Sequence, residues 1–177
     1  MTATLRAEGV VLRPLEVGDA AALFLAHGDA DTHRYWSGPP HRDEAETARS
    51  IEQTLTLLGA QAWAITEDGG EALGRIALFV RREGVGEVGV ILRREAQGRG
   101  IAAKALKLVE AYAFEVLHLH RLFADVDPEN SPSFSLFIRA GFQREAVLRQ
   151  NWKTHLGLRD SIILAKLRDA DNGAHHE

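Results

Sequence analysis

The residues of this chain best suited to chemistry are Gln97-Gly98-Arg99-Gly100, directly before the alanine-rich run Ile101-Ala102-Ala103. Gly98, Gly100 and Ala103 fit G-x-G-x-x-G/A, the spacing of a dinucleotide-binding turn. Gln97, Gly100 and Ala102 also fit Q/R-x-x-G-x-G/A. Both patterns describe one physical device. A helix start leaves backbone N–H groups unpaired and carries the positive end of the helix dipole, which favours an anion. Glycine lets that backbone approach a phosphate closely, and no Ser, Thr, Asp or Asn stands at the turn to cap the amides internally. Arg93, Arg94, Arg99 and Lys104 add positive charge nearby. The plainer reading is a glycine turn with solvent on its amides.

Other chemistry-bearing clusters are weaker. His118-Leu119-His120 has no third ligand at a convincing spacing, and its imidazoles suit the negative end of a helix, so no metal site is expected. Asp125, Asp127 and Glu129 read as an acidic strand exit rather than a magnesium site. Ser131, Ser133 and Ser135 lack the nucleophile-elbow context of a serine hydrolase. His175-His176 falls in a polar tail. The absence of cysteine excludes disulfides, thiolate zinc sites and a thiol nucleophile.

Composition sets the frame for these residues. A chain of 177 residues, 45% hydrophobic and 26% charged, suits one globular domain rather than a disordered segment. The formal charge of −4 disfavours a nucleic-acid partner and is compatible with a cationic substrate. No long apolar stretch follows Met1-Thr2-Ala3-Thr4, so neither a signal peptide nor a membrane span is expected, and the cytoplasm is the default location. A homodimer is one oligomeric state left open.

The elements that must position the glycine turn follow from periodicity and punctuation. Val10 to Leu15 reads as a first strand, closed by Pro14. Asp19 caps a short helix from Ala20 to His27, with Leu23 and Phe24 inward. Gly28 to Arg42 reads as a loop, whose Tyr35 and Trp36 serve either as a binding surface or as a lid on the core. Ala48, Ile51, Leu55 and Leu58 mark a second helix that starts at Glu44 and stops at Gly59. Three strands follow, at Ala62–Ile65, Leu73–Val80 and Glu87–Leu92, with hairpin signals at Asp68-Gly69-Gly70 and Gly84-Val85-Gly86. A long helix shows one apolar face from Ile101 to Val116. After a strand at Leu122–Val126, Ser131-Pro132 supplies cap and first turn for a helix reaching Ala140, stopped by Gly141. Two strands close the chain near Gln143–Asn151 and Asp160–Leu167. The expectation is a single α/β domain over 1–168 with a polar tail at 169–177, built on a mixed, mostly antiparallel sheet of six to seven strands. That frame disfavours a dinucleotide fold. A Rossmann turn follows its strand directly, whereas Arg93 to Gln97 intervene here, after strands joined by hairpins.

Taken together, "EVGVILRREAQGRGIAAKAL", "VDPENSPSFSLFIRAGF" and "LRD" resemble the GNAT superfamily of acetyl-CoA-dependent N-acetyltransferases. The branch it is most similar to is the ribosomal-protein N-terminal acetyltransferases of the RimJ/RimL kind. The likeness runs from about Val10 to about Leu167. It implies acetyl-CoA as co-substrate and an amine acceptor, either a peptide N-terminus or a small amine. It further implies that Val90, Ile91 and Leu92 offer strand backbone to the pantetheine arm, and that Gln97, Gly98, Arg99, Gly100, Ile101 and Ala102 hold the pyrophosphate. Asn130 would hydrogen-bond the pantetheine or its surroundings, and Ser133 would lie near the thioester sulfur as the acid.

The sequence departs from the family pattern at two positions. Phe137 stands near the cofactor where many relatives carry an acidic tyrosine, and Trp152 stands where the RimL-like base is a glutamate. Glu87 is then the substitute base, because strand alternation can aim it into the cleft; His120 and Asp125 rank behind it. Tyr35, Trp36 and Trp152 are expected on the acceptor side. The rival reading is a module that senses acetyl-CoA without catalysis.

Overall fold

The computed structural model describes residues 2–168, so the tail expected from 169 and its His175 and His176 lie outside the described residues. The strands are β1 (Leu5–Ala7), β2 (Val10–Pro14), β3 (Ala60–Thr66), β4 (Gly74–Arg82), β5 (Val85–Leu92), β6 (Arg121–Val126), β7 (Gln143–Thr154) and β8 (Gly157–Leu167). The helices are α1 (Ala20–His27), α2 (Glu44–Thr56), α3 (Ile101–Ala111) and α4 (Ser131–Arg139). All eight strands form one sheet in the order β1-β2-β3-β4-β5-β6-β8-β7. Every neighbouring pair is antiparallel except β5 and β6. The mixed α/β class is as expected, with eight strands rather than six to seven. The additional strand, β1, is only three residues long and pairs back on β2 through a turn at Gly9, where φ is +71°.

Strand alternation divides the core between two faces. Trp63, Ile65, Ile76, Leu78, Val88, Leu122 and Leu164 face α3 and α4, in a cluster that includes Leu106, Val109, Phe137 and Phe142. Trp63 donates its indole N–H to the Ala3 carbonyl at 2.7 Å and meets Tyr112 edge-on. The opposite face presents Ala62, Ala64 and Ala77, small residues on which Leu23 of α1 and Ile51 of α2 pack.

Four local expectations are corrected. Asp19 does not cap α1; its carboxylate is buried, takes Arg13 at 2.5 and 2.9 Å, and accepts from the Glu16 amide. On α2 the inward stripe is Thr47, Ile51 and Thr54, whereas Leu55 and Leu58 face out. The long helix ends at Ala111 and widens into a π-helical turn over Tyr112–Val116, closed by Leu117 N–H to the Tyr112 carbonyl at 3.1 Å. That extra residue per turn buries Tyr112 and Ala113 and rotates Val116 outward. The cap of α4 is Asn130 rather than Ser131: the Asn130 side chain accepts from the Ser133 amide at 3.2 Å.

Candidate active site

The parallel pair β5–β6 is short. It is registered only through Val85↔Arg121, Gly86↔Leu122 and Glu87↔Phe123. Beyond Glu87 the strands part, so Val88 to Leu92 keep β4 on one side and, among the described residues, have no strand on the other. A strand edge of this kind leaves backbone donors and acceptors available to an extended ligand. A Cβ built on Gly89, in this stretch, would meet nothing within 4 Å, which marks open space beside it.

The glycine turn stands at the end of that edge. After a short 3-10 turn at Arg94–Ala96, Gly98 and Gly100 both adopt left-handed backbone, with φ of +73° and +75°. Gly100 is the N-cap of α3 and supplies no side-chain cap. A Cβ at either glycine would touch no protein atom within 4 Å. These glycines are therefore required by backbone conformation, while the space above them stays clear. Gln97 anchors the turn by donating to the Leu92 carbonyl at 3.1 Å.

One cavity of about 610 Å³ joins these parts. Its walls are Val90, Ile91 and Leu92 from β5, Gln97, Gly98, Gly100, Ile101 and Ala102 from the turn and α3, and Asn130 and Ser133 from the start of α4. Asp31, Thr32, Tyr35 and Trp36 close it from the loop after α1. Arg139, in the last turn of α4, also lines it and was not foreseen, because only the helical fold of residues 131–139 brings it round to the same wall as Ser133. One residue expected at the cofactor lies elsewhere, and at Arg99 only the backbone stays at the turn. Phe137 is buried in the core, edge-on to Phe142 at 5.1 Å between ring centres, since it occupies the inward face of α4. Arg99 points away to pair with Glu67.

The positive charge expected near the turn is present, but the arginines that supply it carry carboxylate partners. Arg93 is buried and held by Glu71 and Glu95, Arg94 by Asp29 and Asp31, and Lys104 donates to the Glu8 carbonyl at 2.9 Å. The hydrogen bonds that Arg94 donates to Asp31 and Asp29 raise its pKa. At this turn, the uncapped amides, the dipole of α3 and the charge of Lys104, bonded to a neutral carbonyl, remain to attract an anion.

The opposite side of the splay carries carboxylates. Glu87 and Phe79 are register partners, which puts Glu87 on the α1/α2 face; it does not line the cavity and is ion-paired to Arg81 at 2.6 Å. Asp125 lies on the same face of β6, where Trp152 Nε1 donates to it at 2.8 Å and Asn151 Nδ2 at 3.3 Å. Trp152 thus contacts Asp125 rather than the cavity wall. Asp127 is held by Arg159 at 2.8 and 2.9 Å. Burial alone would raise the Asp127 pKa, yet Arg159 and the Glu129 amide bring it below the usual value. His120 packs over Gly84, outside the cavity, with its N–H on the Gly84 carbonyl at 2.9 Å.

A second polar region, behind Trp36, is not legible from any local motif. His27, His33 and His41 converge with their ring nitrogens within 4.8 Å of one another. His27 and His33 approach at 3.1 Å through their Nδ1 atoms, and His41 meets the Thr47 hydroxyl at 2.9 Å. Burial, followed by the charge of Arg75, pushes His27 down to about 2. Burial and the neighbouring His41 take His33 down to about 4. These three histidines are separated by a loop, so only the tertiary fold unites them.

Comparison with known proteins agrees with this architecture. Residues 10–143 match the model of the acetyltransferase (GNAT) domain. An uncharacterized N-acetyltransferase p20 of Bacillus licheniformis is 30% identical over 172 residues, covering 93% of this chain and 96% of its own. A spermidine N(1)-acetyltransferase of Escherichia coli (strain K12) is 29% identical over 160 residues, covering 88% and 84%. Among solved structures, Mycobacterium smegmatis RimJ in complex with CoA-disulfide superposes with a TM-score of 0.79 at 24% identity, covering 93% and 86%, a likeness of fold. Among the described residues, no helix is long and apolar enough to cross a membrane. With the family model matching residues 10–143, most of this chain, the chain belongs to the GNAT acetyltransferase family and is an enzyme of the N-acetyltransferase class.

Proposed function

We propose that the enzyme moves the acetyl group of acetyl-CoA onto a primary amine by direct attack in a ternary complex, without a covalent enzyme intermediate. The observation that carries this reading is that an unpaired strand edge and an uncapped helix start share one cavity. A pyrophosphate on the amides of Gly98 to Ala102 directs its extended arm along Val90, Ile91 and Leu92. The thioester then lies at the mouth of the splay, beside Ser133. Arg139 offers a cation to the phosphates from α4.

The chemistry needs few groups. The amine nitrogen attacks the thioester carbon, a base takes the proton lost by nitrogen, and the tetrahedral oxyanion is stabilised by a backbone N–H near Val90. Collapse expels the thiolate, which takes a proton from Ser133 or water. Thiolate is a tolerable leaving group, so holding the two substrates together supplies much of the rate. Two carboxylates on the α1/α2 face compete for the role of base. Glu87 stands at the closed end of the splay beside Arg81, and Asp125 stands two residues further along β6, oriented by Trp152 and Asn151. Comparing pH profiles of kcat/KM for Glu87→Gln and Asp125→Asn identifies the base as the variant whose basic-limb plateau collapses.

The acceptor class that this site supports is a primary amine, with Tyr35 and Trp36 in its path. The E. coli relative acetylates spermidine by its name, and the RimJ/RimL resemblance of the sequence implies instead a peptide N-terminus. Thiol release from acetyl-CoA across a panel of peptides and small amines tests the reading. Turnover with a primary amine is expected; tight CoA binding with no turnover on any amine would support a sensor instead.

A further inference from the structure

We propose that the polar cavity behind Trp36 receives a carboxylate of the acceptor itself, so that the acceptor is an amine that also carries an acid group. This rests on the amine-acetyltransferase reading above. The carrying residue is Arg75 on β4. It is 7% exposed, its Nη1 has no hydrogen-bond partner, and its one side-chain partner is the Ser50 hydroxyl at 3.3 Å. Its guanidinium lies over the Trp36 ring, 5.5 Å from the centroid, and no carboxylate pairs with it among the described residues. Burial lowers its pKa only to about 10, so it stays charged at neutral pH. A buried cation without a counter-charge is among the most unfavourable arrangements a core can hold, and a bound anion removes that penalty.

Arg75 opens onto a cavity of about 330 Å³ whose lining is rich in donors: Arg49, Ser50, Gln53, His33 and His41. Its single acidic residue among the lining, Glu46, is paired with Arg42, whose amide and guanidinium both donate to its Oε2. Three converging imidazoles would on their own suit a divalent cation. The unpaired guanidinium beside them decides the sign: it repels a metal ion and attracts an anion, and its planar fork matches a carboxylate.

The position ties this anion to the reaction. Trp36 lines both cavities, and the register partner of Arg75 is Ile91, which lines the cofactor cavity. An acceptor with its amine at the thioester and its carboxylate at Arg75 therefore spans one side-chain layer. A polyamine would instead set a second ammonium against Arg75, an arrangement that rejects it.

The test uses matched pairs, each an amino acid and its carboxamide or decarboxylated amine, assayed by thiol release with wild type and Arg75→Leu. Wild type is expected to favour the acid member by roughly tenfold or more in kcat/KM, and the variant to bring that ratio near one. Glutarate, read by thermal shift without turnover, is expected to raise the melting temperature of wild type and leave that of Arg75→Leu unmoved. The variant itself should melt no lower than wild type in the absence of anion, because it removes an unpaired buried charge; Arg75→Gln serves if leucine prevents folding. Equal use of both members, preference for polyamines, or glutarate stabilisation that survives Arg75→Leu would each overturn the proposal. So would one equivalent of zinc bound by wild type and lost in His33→Ala. If no amine is acetylated, the acetyltransferase reading fails on thiol release and the acceptor proposal fails with it, while the glutarate shift still reports whether the cavity binds a carboxylate.

Discussion

Gly98 and Gly100 hold two properties that substitution can separate. Their left-handed φ makes any side chain strained by about 1–2 kcal/mol, whereas the space above them is open. Gly100→Ala is therefore expected to lower stability by about that amount. Gly100→Asp places a negative charge, and a cap, on the amides assigned to the pyrophosphate. Its affinity for CoA is expected to fall roughly tenfold or more, and unchanged affinity by calorimetry would remove the phosphate site from this turn. Ser133→Ala is expected to slow turnover by roughly tenfold or more with little change in CoA affinity. Wild-type turnover in that variant would return the leaving-group proton to water. The turn was readable in sequence because glycine spacing reports backbone conformation directly. The place of Phe137 was not, because helix rotation decides where it points; nor was the direction of the Arg99 side chain, which an ion partner 32 positions away decides.

At the scale of elements, the start of α4 links folding to the site. Asn130 caps the helix whose first turn carries Ser133 into the cavity wall. Asn130→Ala should cost about 1 kcal/mol of stability and raise KM for acetyl-CoA, while Asn130→Asp restores the stability. Measuring urea unfolding beside KM separates the two roles: a KM that stays high in Asn130→Asp means that the amide group itself meets the ligand. Most elements were legible because their periodicity and stops agree, as in α1, β3 to β6 and the closing hairpin. The cap was misassigned because Asn130 and Ser131 are both competent caps, and only geometry chooses between them. The leucines at the end of α2 misled for a related reason. Thr47 and Thr54, with Ile51, fill the inward stripe, so Leu55 and Leu58 extend the apolar pattern past the face that packs.

For the molecule as a whole, the buried histidines predict an acid limit. His27 and His33 have folded pKa values of about 2 and about 4, well below the unfolded value near 6.5. Above pH 6.5 both states are neutral and their full contribution is present. As pH falls below 6.5 the unfolded chain takes up protons that the folded chain refuses, so stability declines, by up to about 1.4 kcal/mol per pH unit for each histidine. His33 stops contributing to the slope near pH 4. Glu110, whose pKa burial raises, acts in the opposite sense just above its ordinary 4.5. Urea unfolding from pH 8 to pH 5 measures the slope, and a flat profile would mean that the histidines are not buried in neutral form. The three registered pairs between β5 and β6 have a mechanical consequence as well. Among the described residues, they are the only strand pairing that binds the five-stranded half of the sheet, β1 to β5, to the half formed by β6, β8 and β7. An acyl carrier lying along Val88 to Leu92 would finish a hydrogen-bonded ladder the polypeptide leaves incomplete, becoming for one turnover a removable part of the scaffold. Amide hydrogen exchange at those residues should slow sharply on CoA binding, and the two halves should then melt as one cooperative unit.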